Sequence, residues 1–503
     1  MSCWDTGLSL HTPLMLPGVD QSKFLGYYLN PYQERETLSR FFDDIHTAIP
    51  ILQKDRFLRL YDEGRYDYDL VVAINTITVK LLGPMDFWPS EDVDMCINSL
   101  LMTTAYESDF SASQTSLIDF QRECMLAYYD FHEFPGPSAW MRISRLTRRA
   151  YAMGLNQIEN PELCSAYDAG VATEDEIEDW RYVWWCVYCF DSYSNMSLGT
   201  PFIVDTESIT TALVRRSSDD DHVPPLPKLF LPDDIGELWR TTQEVMSSSG
   251  ETEFNLNILT TTVLRQAGNI LRFRYTKKQV KNKAEILTSN LASLRLALPR
   301  HFLNPARNAL IAESSLCHHI RLTSLFRLHM TRLIIFLPQD FAADKTEWLN
   351  NWQQILGACQ DVVTVVEQWN NQFSSHVDPA ICLIAFVTLW ITNLHRRCIP
   401  GIVSPLMNSL LRAENNLILF LEQFSRMWAL PKLLLQLFKI SSNEDALTYS
   451  DVDQVLNQIR MPLNPKIMRR ACGLAPDVRG GFEKNAAFID MRSLETQSTG
   501  VWT

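Results

Sequence analysis

Closely spaced cysteines are missing from this 503-residue sequence. Cys3 is followed by none until Cys96, and the one close pair is Cys186-x-x-Cys189. A small zinc-held module needs its thiolates near one another, because it has no other core, so these residues contain no such module. Cys186 and Cys189 read instead as core thiols inside an aromatic helix. The 11 cysteines are scattered and odd in number, and the N-terminus shows no secretory pattern. The expectation is free thiols in a reducing compartment. Long apolar runs are also missing. The longest, Pro379–Leu394, is too short and too punctuated for a membrane span and reads as a buried helix. Positive charge is scarce: 45 Lys and Arg stand against 59 Asp and Glu, a net charge of −14. That opposes tight binding of a polyanion by the whole surface, though not by a local basic patch. No H-E-x-x-H, G-x-S-x-G, Walker or dinucleotide fingerprint occurs, and the 10 histidines lack ligand spacing. No alternating strand run or Asn-Gly hairpin appears, which excludes an ordinary β architecture.

What is present is helical periodicity. With 46% hydrophobic and 21% charged residues the chain has globular composition,. Helical patterns run over Leu38–Leu60 with a break at Pro50, then Leu70–Leu82, Glu91–Tyr106, Ser116–Phe131 and Ser138–Met153. Further patterns cover Glu253–Phe273, Ala284–Leu298, Ala309–Phe336, Trp348–Phe373, Pro379–Leu394 and Leu406–Leu437. The fold class expected is all-α, a large multi-helix domain. Residues 1–32 read as an N-terminal arm and 33–437 as the helical unit, interrupted by a Pro- and Asp-rich loop at 214–236. Residues 438–503 read as a tail with weaker patterning.

The stretch Glu176–Pro201 organises the rest. Acidic residues lead into Arg181, then Trp184-Trp185, then Asp191, and the segment closes with Gly199-Thr200-Pro201. Apolar and aromatic residues surround the helical wheel, which predicts a helix over Glu176–Met196 buried on every side. The acidic lead suits a helix N-terminus, and Gly199 and Pro201 suit its end. Upstream, Trp140, Ile143, Leu146, Ala150 and Met153 share one helical face, ending at Gly154-Leu155. Arg142, Arg145 and Arg149 share another. Their place between tryptophan-bearing core segments predicts internal pairing, with Asp191 as a partner, since a lone buried carboxylate is costly.

These elements resemble the regulatory domain, or middle homology region, of fungal binuclear zinc-cluster transcription factors. The residues carrying the resemblance are Trp140, Arg149, Gly154, Leu155, Arg181, Trp184, Trp185, Asp191, Gly199 and Pro201. Leu38–Leu58 resembles the family's entry segment, and Phe424–Leu434, with Trp428, its closing tryptophan helix. Two departures are visible: Trp180-Arg181-Tyr182 replaces an arginine run, and Ser192 stands where an arginine often follows the aspartate. The resemblance implies a nuclear transcriptional regulator with no catalytic role and no cofactor in this chain. Zinc would enter only with a six-cysteine module outside these residues. Three readings stay open: a coding region truncated at its 5′ end, a module supplied by a partner chain, or a regulator acting only through protein contacts. The implied partners are the transcription machinery or co-regulators, with DNA reached indirectly or through the missing module, and no membrane. A homodimer and a small-molecule effector are also compatible, the latter in a pocket lined by the abundant aromatics.

Two further stretches carry expectations. Lys277, Lys278, Lys281 and Lys283 form the strongest basic run, Arg272–Lys283, read as a nuclear-import signal or as a solvated helix face. Asp233-Asp234-Ile-Gly-Glu237 has the spacing of a magnesium motif, which sustains the alternative of an all-helical, terpene-synthase-like enzyme. It lies in a proline-rich loop with no second metal motif, so a solvated loop and helix cap is the competing reading.

Overall fold

A computed structural model describes residues 24–459, apart from 107–115, 169, 216–226, 249–250, 276–280, 309–311, 339–340, 342–343, 400–404 and 443–445. Among the described residues there are 17 α-helices and no strand, only an isolated bridge between Met85 and Trp88. The all-α expectation holds.

The N-terminal helices are α1 (Pro31–Asp44), α2 (Lys54–Asp62), α3 (Tyr68–Leu82), α4 (Ser90–Tyr106) and α5 (Leu117–Glu133). Local signals set their ends. Asn30 caps α1 in a capping box with Gln33, and Asp67 caps α3 by accepting from Leu70 N,. Phe24 and Tyr27, within the arm as read from sequence, are buried. Tyr27 donates to Glu34 at 2.7 Å and meets the Trp88 ring edge-on at 5.3 Å.

The middle helices are α6 (Pro137–Ala152), α7 (Glu174–Leu198), α8 (Leu238–Ser247), α9 (Thr252–Tyr275), α10 (Lys281–Ala297) and the single turn α11 (Arg300–Leu303). The C-terminal ones are α12 (Ser315–Phe336), α13 (Lys345–Glu367), α14 (Ile381–Arg397), α15 (Pro405–Ser425), α16 (Ala429–Ser441) and α17 (Tyr449–Ile459). α7 is threaded through the first half, packed on α5, α6 and α9. α9 lies along α12, which packs on α13 and α14, and α16 returns to α5. Helix α5 and the start of α16 are thereby tied together, with Trp428 against Tyr128 at 5.4 Å.

Two departures from periodicity have plain causes. The pattern over Leu406–Leu437 splits into α15 and α16, with Trp428 extended at φ −130° and ψ 140°. Pro431 cannot donate to the carbonyl four residues back and tolerates only the first turn of a helix. Helix α8 was hidden by its shortness beside the polar loop. Within the span 438–503, Val452 and Leu456 of α17 are buried and α17 packs on α14. Residues 216–226 of the loop and 460–503 of the tail lie outside the described residues.

Candidate functional site: the knot around Asp191

α7 begins in a capping box in which Thr173 Oγ1 accepts from Glu176 N and Glu176 accepts from Thr173 N,. It ends where Gly199 turns left-handed at φ 70°,. Between them the helix is buried almost throughout, including both Trp184 and Trp185. Trp185 Nε1 donates to Ala212 O at 2.8 Å, whereas Trp184 Nε1 has no acceptor among the described residues and its ring meets Tyr151 edge-on at 5.7 Å.

A fully buried carboxylate sits near the end of this helix. Asp191 Oδ1 accepts from Asn195 Nδ2 at 2.7 Å and Ile203 N at 3.0 Å. Its Oδ2 accepts from Val204 N at 3.1 Å and Arg265 Nη1 at 2.8 Å. All four acceptor positions are used, which is what a buried carboxylate requires. Arg265 also donates to Ser192 Oγ at 2.9 Å and Val204 O at 2.5 Å. Its guanidinium lies between the rings of Phe202 and Tyr188, 4.1 and 4.6 Å away,.

The expected pairing of Asp191 with the 142–149 arginines is therefore corrected: the cation comes from α9. Arg142 instead reaches Asp130 at 3.0 Å and Glu123 at 3.7 Å, and Arg149 lies 5.3 Å over Phe120. These arginines sit on the face of α6 turned toward α5 rather than toward the end of α7. Sequence order gave no sign of Arg265, which is 74 positions from Asp191. It interrupts the uncharged core face of α9, and that is the one signal it leaves.

Asn195 extends the knot. Its Oδ1 accepts from Trp140 Nε1 at 3.0 Å and Thr200 Oγ1 at 2.6 Å. Trp140, Asp191 and the Gly199–Pro201 turn are thus joined through a residue that sequence reading passed over. Gly154 is left-handed at φ 74°, and a Cβ there would lie 2.3 Å from Leu163 O. Leu155 is buried and its carbonyl accepts from Thr211 at 2.6 Å. Pro201 is exposed.

A second cluster fixes the start of α7. Arg181 donates to Glu159 at 2.8 Å, Glu174 at 2.9 Å and Glu178 at 2.5 Å. Burial raises the Glu178 carboxyl against the pull of Arg181,. Neighbouring Asp179 pairs with Arg56, yet burial pushes its carboxyl up to about 7. Burial also pushes the Cys189 thiol up to about 12 and raises that of Cys186, which suits neutral core thiols,.

The remaining sequence candidates scatter. Lys277 and Lys278 lie outside the described residues, and Lys281 opens α10. Lys283 lines a cavity of about 550 Å³ that Asp205, Asp233, Asp234 and Arg272 also line. Asp234 caps a short turn by accepting from Gly236 N, while Glu237 pairs with Arg240 at 2.8 Å. Among the described residues no group of three or more His, Cys, Asp or Glu is placed to hold a metal ion. None of the described helices is long and apolar enough to cross a membrane.

The geometry is that of a structural core: ion pairs and hydrogen bonds that lock helices together, with every acceptor of Asp191 occupied. Comparison with family models gives a match to the fungal specific transcription factor domain over residues 38–299. Comparison with curated proteins and with solved structures gives no match. The matched span covers just over half of the chain and contains α7, the Asp191 knot and the Arg181 cluster. On that match, the chain belongs to the family defined by the fungal specific transcription factor domain.

Proposed function

We propose that the chain is a nuclear transcriptional regulator that works through protein contacts with the transcription machinery or co-regulators. DNA is reached indirectly, through a DNA-bound partner or a zinc-cluster module not contained in these residues. The observation that carries this reading is the family match over residues 38–299, a regulatory and not a catalytic family. The chemistry of the knot supports a non-enzymatic role. Its charges are consumed by internal pairing, leaving Asp191 no lone pair for a substrate. The net charge of −14 supports indirect rather than direct DNA contact,.

The test is to fuse the full chain to an unrelated DNA-binding domain and measure a reporter carrying that domain's site. Changed output is expected. Unchanged output from a folded, nuclear fusion would count against the reading. A magnesium-dependent turnover assay with prenyl diphosphates separates it from the helical-enzyme alternative: release of diphosphate would favour the enzyme.

A further inference from the structure

Four arginines among the described residues are buried: Arg181, Arg265, Arg321 and Arg327. Three have carboxylates. Arg181 has Glu159, Glu174 and Glu178; Arg265 has Asp191; Arg321 has Glu313 at 2.7 Å. Arg327, on α12, is the exception. Only 2% exposed, it donates from Nη1 to Thr323 Oγ1 at 3.1 Å and from Nη2 to Tyr193 Oη at 3.0 Å. Both acceptors are neutral. A buried cation without a paired counter-charge costs several kcal/mol, and no carboxylate among the described residues makes a direct ion pair with it. Asp378, close enough to raise the Tyr193 hydroxyl, is not hydrogen-bonded to Arg327: its Oδ1 accepts from Ala380 N at 2.8 Å and lies 3.1 Å from His132 Nε2.

Arg327 lines a half-open cavity of about 80 Å³ walled by α7, α9, α12 and α14. The other walls are nearly all hydrocarbon, among them Leu264, Met330, Leu333, Ile384 and Val387. One water needs only about 10–15 Å³, so the space suits a short chain or a ring. Apolar walls with one convergent charged group are the ordinary form of a small-ligand pocket. The guanidinium fork matches a carboxylate. A single cation balances a single negative charge, and the two hydroxyls in the walls, on Tyr193 and Ser197, already donate to Asn257 Oδ1 and Ser194 O, which leaves little for a multiply charged anion,. We propose that this cavity binds a small apolar monocarboxylate, its carboxylate paired with Arg327 and its hydrocarbon packed among α7, α9, α12 and α14. Tyr193, which shares the cavity, is two residues beyond Asp191 on α7, so an occupant abuts the helix that organises the fold.

The experiment is calorimetric titration of the purified full chain with hexanoate and phenylacetate, with hexan-1-ol, acetate and inorganic phosphate as controls. Saturable one-site binding of an acid is expected, with the alcohol, acetate and phosphate at least about tenfold weaker. R327M should abolish the preference for acid over alcohol. Without ligand it should melt no lower than wild type, since it removes an unpaired charge. L333W, which keeps Arg327 but fills the space, should lose hexanoate as well. Three results would overturn the proposal: no binding of either acid, equal binding of hexanoate and hexan-1-ol, or phosphate binding as tightly as hexanoate. If a variant does not fold, the wild-type selectivity alone decides. The assay reads binding on the isolated chain, so a silent reporter fusion leaves this result standing, and the reverse.

Discussion

Asp191 on α7 and Arg265 on α9 form a buried ion pair, Oδ2 to Nη1 2.8 Å, with both side chains 2% exposed or less. The pair joins the central helix to the half of the chain that follows the polar loop. Because α9 lies along α12, the same contact links the N-terminal and C-terminal helices.

Breaking this pair from one side should be costly. D191A leaves the Arg265 charge buried and is expected to lower stability by about 3–5 kcal/mol. R265M should do the same by stranding Asp191, although Ile203 N and Val204 N still donate to it. In a double-mutant cycle the combined loss should fall well short of the sum of the two single losses. Denaturant unfolding measures all four species, and simple additivity would show that the pair is not coupled.

The adjacent tryptophans should separate by chemistry. W184A removes a fully buried ring and should cost about 3–5 kcal/mol. W185F deletes a hydrogen bond to Ala212 O and should cost about 1–3 kcal/mol more than its lost volume. W184F deletes no such bond, because Trp184 Nε1 has no acceptor among the described residues. Thermal melts of the two Phe variants should therefore rank W184F as the milder change.

Asp179 should leave a pH signature. Burial raises its folded carboxyl to about 7 from an ordinary 3.8. The folded state then holds a proton that the unfolded state has released. Asp179 therefore favours folding at low pH, and that contribution is lost as pH rises from about 4 through about 7. D179N, which cannot ionise, should flatten the wild-type loss of stability over this window. Parallel wild-type and D179N stability curves between pH 5 and 8 would show that Arg56 keeps the carboxylate charged throughout.

The basic run is expected to direct nuclear entry. Replacing Lys277, Lys278, Lys281 and Lys283 by alanine in a fluorescent fusion should move signal to the cytoplasm. Unchanged nuclear signal would return the run to a surface role.

The sequence by itself determined what is local. Periodicity with Pro and Gly punctuation located most of the helices, because an apolar stripe every 3.6 residues must be buried whatever it packs against. Gly154 and Gly199 marked helix ends because left-handed backbone favours glycine. The all-round apolar wheel of α7 required a central position. What only the tertiary structure decided is which charges meet. Asp191 had to have a partner, but the Arg142–Arg149 set was as plausible by composition as Arg265, 74 residues away. The crossing of α7 with α9 settled the choice. The same holds for Asn195, whose one amide joins Trp140, Asp191 and Thr200, and for Arg327, whose neutral partners Thr323 and Tyr193 are fixed only in three dimensions. A desolvation cost is set by the neighbours that packing delivers, and sequence spacing carries no record of neighbours so far apart along the chain.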